Sequence, residues 1–322
     1  MRTLRLFVGL LVMLVPLEAT AQSNLSIATG GTGGTYYPLG GGIAELINTH
    51  VEGYQAVAEA TGASEENVAL VFQGESDIAF ALADTAFQAY SGSGNFEGRP
   101  IPSLRALGAV YPNALHLVTL AGSGIETLED LRSARVSIGA PGSGTAISAE
   151  ALLSANGISL DELSVQRLDF NETAAALRDG QIDAGFWSAG PPTASILDLA
   201  TTRDVRLVSL TEAQIAAAQE LDPSYAPYTM SAGTYPGQDE EVLALSTPNL
   251  LIVDESLDET LVYEVTKTIF EHVDDLIAIH PAANDTTVAF SLASTPIPLH
   301  PGAVRYYQEV GADVPEHLIA GE

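Results

Sequence analysis

Two periods of apolar residues take turns along the chain. Leu25 to Thr29 reads as a short strand, and Tyr36 to Thr49 carries its apolar side chains at helical spacing. A strand at Gln55 to Ala60, a helix at Glu65 to Gln73 and an apolar strand at Ile78 to Leu82 follow. Ser64 marks the start of the second helix, because a serine oxygen accepts from the orphan N–H groups of a first turn. Strands alternating with helices at this spacing predict a parallel sheet covered on both faces.

The alternation then restarts. Leu128 to Leu131 is a helical turn, Val136 to Gly139 a strand, and the loop Pro141-Gly142-Ser143-Gly144-Thr145 opens a helix that stops at Asn156-Gly157. A strand at Ser164 to Leu168, a helix at Glu172 to Asp179, a strand at Ile182 to Phe186, a helix at Pro192 to Thr201 and a strand at Val205 to Ser209 complete a second α/β unit. Beyond Tyr225 come strands at Val242 to Thr247 and Leu250 to Val253, a long helix within Ser256 to Ile279 and a last one at Pro301 to Gly311. The middle unit is self-contained, so these late elements are expected to complete the first. The result is two domains joined by at least two crossings.

Candidate chemistry gathers at the two glycine loops. Each follows a short strand and opens a helix, which is the carboxyl edge of a parallel sheet, where helix N-termini present unpaired N–H groups to ligands. One loop per domain predicts a cleft with an anion site on either wall. A nucleotide fits poorly: no lysine follows the glycines, and after Gly31 and Gly33 the third glycine of a dinucleotide fingerprint is replaced by Tyr36. Catalysis is no easier to assemble. Ser143 and Ser188 lie outside any GxSxG elbow, the six histidines show no HExxH spacing, and His280 and His300 precede proline as helix-end residues do. Aromatics at strand and loop ends, Tyr36, Tyr37, Tyr111 and Trp187, could wall a small organic ligand. For Trp187 domain core is an equal reading.

Composition narrows the setting. Arg2 and Arg5, the apolar run Leu6 to Leu17 and Ala19-Thr20-Ala21 form the three parts of a signal peptide, with cleavage expected after Ala21. The absence of cysteine excludes disulfides, thiolate metal sites and a cysteine nucleophile. With 12 basic and 41 acidic residues the net charge is -29, a surface that repels nucleic acid and anionic lipid. One lysine, Lys267, occurs in the chain, and the scattered acids suit a saline habitat in which self-repulsion is screened. Nothing calls for a metal or cofactor.

The blocks IATGGTGGTYYPLGGGIAELIN, GESDIAFALADTA, GAVYPNALHLV, ETLEDLRSARVSIGAPGSGT, GQIDAGFWSAGPPT and PIPLHPGAVRYYQEVG resemble, in order and spacing, the TAXI family, the solute-binding proteins of one branch of TRAP (tripartite ATP-independent periplasmic) transporters. The resemblance spans essentially the whole mature chain. It implies an α/β, two-lobed periplasmic binding-protein fold of type II-like form, with the ligand in the interdomain cleft. Residues 22–115 and 228–322 would form the first lobe and 116–227 the second. The implied activity is not enzymatic: capture of an amino acid or carboxylate, glutamate-like solutes favoured, and delivery to a TRAP-type permease. By position, Thr32, Gly33, Gly34, Thr35 and Tyr36 match the first ligand loop, Ser143, Gly144 and Thr145 the second, and Trp187, Ser188 and Ala189 a strand end that meets ligand. Asn67, Asp84 and Tyr111 complete the expected set. With no arginine in either loop, an amino acid bringing its own ammonium suits the site better than a dicarboxylate, with Asp84 as a candidate partner. A sensor that docks on a receptor, and an exported serine hydrolase, are the competing readings.

Overall fold

The computed structural model describes residues 22–320; the expected signal peptide lies outside them. The first lobe opens with β1 (Ser23–Ala28), α1 (Tyr36–His50), β2 (Tyr54–Glu59), α2 (Ser64–Gln73), β3 (Ile78–Leu82) and α3 (Ala83–Ser91). In α1 the buried residues Leu39, Ile43, Leu46 and Ile47 recur at helical spacing and lay one face on the sheet. Strand β4 (Leu104–Leu120) then carries the chain out of this lobe. The second lobe contains β5 (Arg135–Ser137), α4 (Gly144–Ala155), β6 (Ser164–Gln166), α5 (Phe170–Arg178), β7 (Ala184–Ala189), α6 (Ala194–Ala200), β8 (Val205–Leu207), α7 (Glu212–Gln219) and β9 (Ala226–Met230). Strand β10 (Val242–Asp254) returns, and α8 (Glu259–Glu271), α9 (Val273–Ile279), α10 (Val288–Ser294) and α11 (Pro301–Glu309) close the first lobe.

All ten strands share one sheet, with β2-β1-β3-β10-β4-β7-β5-β6 as its main path, β8 on β4 and β9 on β10. The expected parallel pairing holds for β1 with β2 and β3, and for β5 with β6 and β7. The centre differs. There β10 runs antiparallel to β3 and β4, and β4 antiparallel to β7, because the two long strands cross between lobes in opposite directions. The separate strands expected at Val242 to Thr247 and Leu250 to Val253 are one continuous strand. The single long helix expected before Ile279 is two, interrupted at His272, whose ring stacks on His50 at 3.8 Å between centroids.

Core packing locates the crossings. One core joins residues between Leu25 and Tyr111 to residues between Leu250 and Leu318. The second lobe has two, one on each face of its sheet: Phe186 faces the core of Leu117 and Leu152, and its neighbour Trp187 faces the core of Val118 and Leu177. The return to the first lobe comes later than residue 228, since Met230, Tyr235, Val242 and Ala244 pack around Trp187. Strand β9 is held by β10, so pairing carries it beyond the boundary that loop punctuation marks. His280 and His300 do serve as helix-end residues: their Nδ1 atoms accept from the backbone N–H of Ala282 and Gly302. No helix among the described residues is long and apolar enough to cross a membrane.

Candidate functional site

Between the lobes lies a cavity of about 380 Å³. Its wall is built from the carboxyl ends of the parallel strands. Gly30, Gly31, Gly34, Thr35 and Tyr36 follow β1, Thr61 to Ser64 follow β2, and Leu82 ends β3. From the other lobe, Ala140, Pro141, Ser143, Gly144 and Thr145 follow β5, Asp169, Phe170 and Glu172 follow β6, and Ser188 and Ala189 end β7. The sheet's direction therefore delivers four helix starts, those of α1, α2, α4 and α5, to one space.

Those four starts differ in what already satisfies them. Helix α5 is closed by its own acids: Asp169 Oδ1 accepts from Glu172 N–H at 2.8 Å, and Glu172 Oε2 from Asp169 N–H at 3.0 Å. Helix α2 is closed across the cleft, where Glu65 and Glu66 N–H donate to Gly142 carbonyl at 3.0 and 3.3 Å. Helix α1 has no side-chain cap, and α4 is capped only in part, by Ser143 Oγ accepting from Ala146 N–H at 3.2 Å. The N–H groups of Thr35, Tyr36 and Tyr37 and those of Gly144 and Thr145 find no acceptor among the described residues. Thr35 Oγ1 does not cap its helix but donates to Gly190 carbonyl at 2.8 Å. Two helix starts that still hold unpaired N–H groups, one from each lobe, thus flank the cavity, each with the partial positive charge of its dipole.

The lobes are closed on each other by direct bonds around this space. Ser195 N–H donates to Gly33 carbonyl at 3.1 Å, and Asn171 Nδ2 to Thr32 Oγ1 at 3.2 Å. A Cβ at Gly34 would sit 3.0 Å from the Phe170 ring, so that ring would have to give by a few tenths of an ångström. Asp84, at the start of α3, accepts on Oδ2 from Ser148 Oγ and from Tyr225 hydroxyl, both at 2.9 Å. Thr85 N–H and Oγ1 hold its other oxygen at 2.5 and 3.1 Å. Burial outweighs these donors and pushes the Asp84 carboxyl up to about 6. Burial likewise raises the Tyr36 and Tyr111 hydroxyls well above the ordinary tyrosine value, so both are neutral donors.

Of the expected ligand residues, Gly34, Thr35, Tyr36, Ser143, Gly144, Thr145, Ser188 and Ala189 line the cavity. Thr32 and Gly33 instead meet the opposite lobe at its rim. Asn67 stands behind the wall: its Nδ2 donates to the carbonyls of Ala28, Thr29 and Phe80, which ties β1 and β3 to α2. Asp84 faces Ser148 and Tyr225 between the lobes. Trp187 is fully buried and donates to Ser195 Oγ at 3.1 Å, the core reading of that residue. Tyr111 is buried with its ring edge toward Gly190, and its hydroxyl has no partner among the described residues. Ser188 Oγ is also buried and unpartnered, and it lies in the cavity wall. The sequence reading missed Thr61 to Ser64, Asn113, Asp169, Phe170 and Glu172. The Ser-x-x-Asn and Asp-x-x-Glu patterns mark helix starts, and asking where each strand's carboxyl end points would have found them.

The wall holds two acids, Asp169 and Glu172, and no lysine, arginine or histidine. A solute carboxylate would meet backbone and hydroxyl donors, and a solute cation would meet these acids at the mouth.

A two-lobed α/β molecule with its cavity at facing strand ends has the architecture of a periplasmic solute-binding protein. The chain belongs to the NMT1-like family, whose profile matches residues 27–311. Its fold is similar to that of a protein of Listeria monocytogenes assigned to L-cystine ABC transport, with a TM-score of 0.51, 14% identity, and 82% of this chain and 95% of that one covered. It is also similar to a structure from work on glutathione import via GshT and the cystine ABC importer TcyBC of Streptococcus mutans, at TM-score 0.50, 11% identity and 82% and 95% coverage. The periplasmic aliphatic sulphonate binding protein SsuA of Escherichia coli gives 0.48 at 14% identity, with 92% and 94% covered. Identities this low speak for the fold.

Proposed function

We propose that the protein is an exported, non-catalytic solute-binding protein that captures a small amino acid or carboxylate, glutamate-like solutes favoured, and delivers it to a TRAP-type permease. The observation that carries the reading is the pair of helix N-termini, α1 and α4, that present unpaired N–H groups to one cavity from opposite lobes. A carboxylate bridging them would favour closure, because only the closed form offers both ends at once. Ser188 Oγ adds a donor that the protein itself leaves unused. Asp169 and Glu172 suit an ammonium, which favours an amino acid over a dicarboxylate. The permease partner and periplasmic location follow from the resemblance of the sequence blocks to the TAXI family.

A thermal-shift screen of amino acids and dicarboxylates in low and high salt tests this reading, since a ligand of the folded state raises the unfolding midpoint. The expected result is a shift with L-glutamate or a related amino acid and a smaller one with dicarboxylates. No shift with any carboxylate would remove the assignment. A sensory role would show as docking on a receptor domain with the same solute dependence. An exported hydrolase is disfavoured by the cavity wall, where Ser143 Oγ is bonded to Ala140 carbonyl and no histidine stands near Ser188 in the lining.

A further inference from the structure

The two crossing strands are weakest where they must bend. Core residues on β4 switch from the first lobe at Tyr111 to the second at Ala114, and on β10 from the second at Leu245 to the first at Leu250. Between them Pro112 lies opposite Pro248. A proline has no N–H to give to a ladder and is uncommon in a central strand, so this point of the sheet lacks two ordinary donors.

Side chains take over there. Asn249 Nδ2 donates to Tyr111 carbonyl at 3.0 Å and to Asn113 Oδ1 at 2.8 Å, and Asn113 Nδ2 donates to Ser188 carbonyl at 2.9 Å. Tyr36 hydroxyl donates to Asn249 Oδ1. Every member of this line is buried. It runs from α1 in the first lobe, through both hinge strands, to β7 in the second, and Tyr36, Asn113 and Ser188 also line the cavity.

We propose that Asn113 and Asn249 form a hinge clasp: positioning residues that stabilise the closed angle and tie it to the walls of the solute cavity. The inference deepens the solute-binding reading and rests on it for its purpose. Because the chain has no cysteine, Glu45→Cys and Ser154→Cys, on exposed positions of α1 and α4, allow one spin label per lobe in the full mature chain. Distance distributions without solute are expected to show a closed population beside an open one. Asn113→Ala, Asn249→Ala and the double variant should each lower the closed-to-open ratio by the same factor, on the order of tenfold, since one break undoes the clasp. A merely structural role would shift the unfolding midpoint and leave that ratio alone. The proposal is overturned if no closed population exists in the wild type, if the variants match it, or if the two factors multiply. L-Glutamate serves as the solute probe: a wild type that does not close further with it counts against the ligand reading, while the solute-free comparison still decides the clasp.

Discussion

Asp84 lies outside the cavity lining and joins elements of both lobes. Its carboxylate joins α3 to Ser148 on α4 and to Tyr225, with Asp222 adding to the field around it and Thr85 donating from its own helix. The folded carboxyl is raised to about 6 from an ordinary 3.8, so the closed form holds its proton more tightly than the exposed residue would. The stability from that proton is fully present below about pH 4 and is lost as pH rises through about 6, a cost of about 3 kcal/mol at pH 7. Asp84→Asn is neutral at every pH, and the Ser148 and Tyr225 hydroxyls can rotate to serve it. The variant should therefore have the higher unfolding midpoint at pH 7, with the advantage shrinking as pH falls toward 4. A constant difference between the two proteins across that window would show that the carboxyl is not the titrating group.

At the scale of an element, the proposed site has unpaired N–H groups at the starts of α1 and α4 where an arginine would otherwise be expected. Neutral hydrogen bonds contribute about 1 kcal/mol each and more to a charged acceptor, so capture needs several donors from both lobes. Thr35 and Thr145 sit at these starts, and their hydroxyls meet Gly190 carbonyl and Ser188 N–H respectively. Thr35→Val and Thr145→Val should each weaken solute binding by about tenfold, and the double variant by more than either, with the far-ultraviolet circular dichroism unchanged. Calorimetric titration giving wild-type affinity in the double variant would take the two loops out of the site. In the glycine-rich first loop, a Cβ at Gly34 would press on Phe170 from the other lobe.

Across the whole molecule, the net charge of -29 outweighs any single contact. Among the described residues six arginine ion pairs and one lysine pair offset little of it, and exposed pairs are worth less than about 1 kcal/mol each. Closing the lobes brings two acidic bodies together. The Debye length falls from about 10 Å at 0.1 M salt to about 3 Å at 1 M, so added salt screens this repulsion. Both the unfolding midpoint and the affinity for a carboxylate solute should rise between those concentrations. An unfolding midpoint indifferent to salt would refute a saline adaptation.

The sequence by itself determined the local alternation of strand and helix, the two glycine loops, and the carboxyl-edge position of the site, because hydrophobic period, capping residues and glycine act within a few residues of one another. Thr35 and Thr145 were legible for that reason. Tertiary structure alone decided the antiparallel centre of the sheet, the late return through β10, and that the mid-strand Asn113 faces the cavity. It also set Trp187 in a core and Asp84 between the lobes. Pairings of this kind join residues more than a hundred positions apart, and no local pattern in the chain encodes which distant partner a strand end will meet.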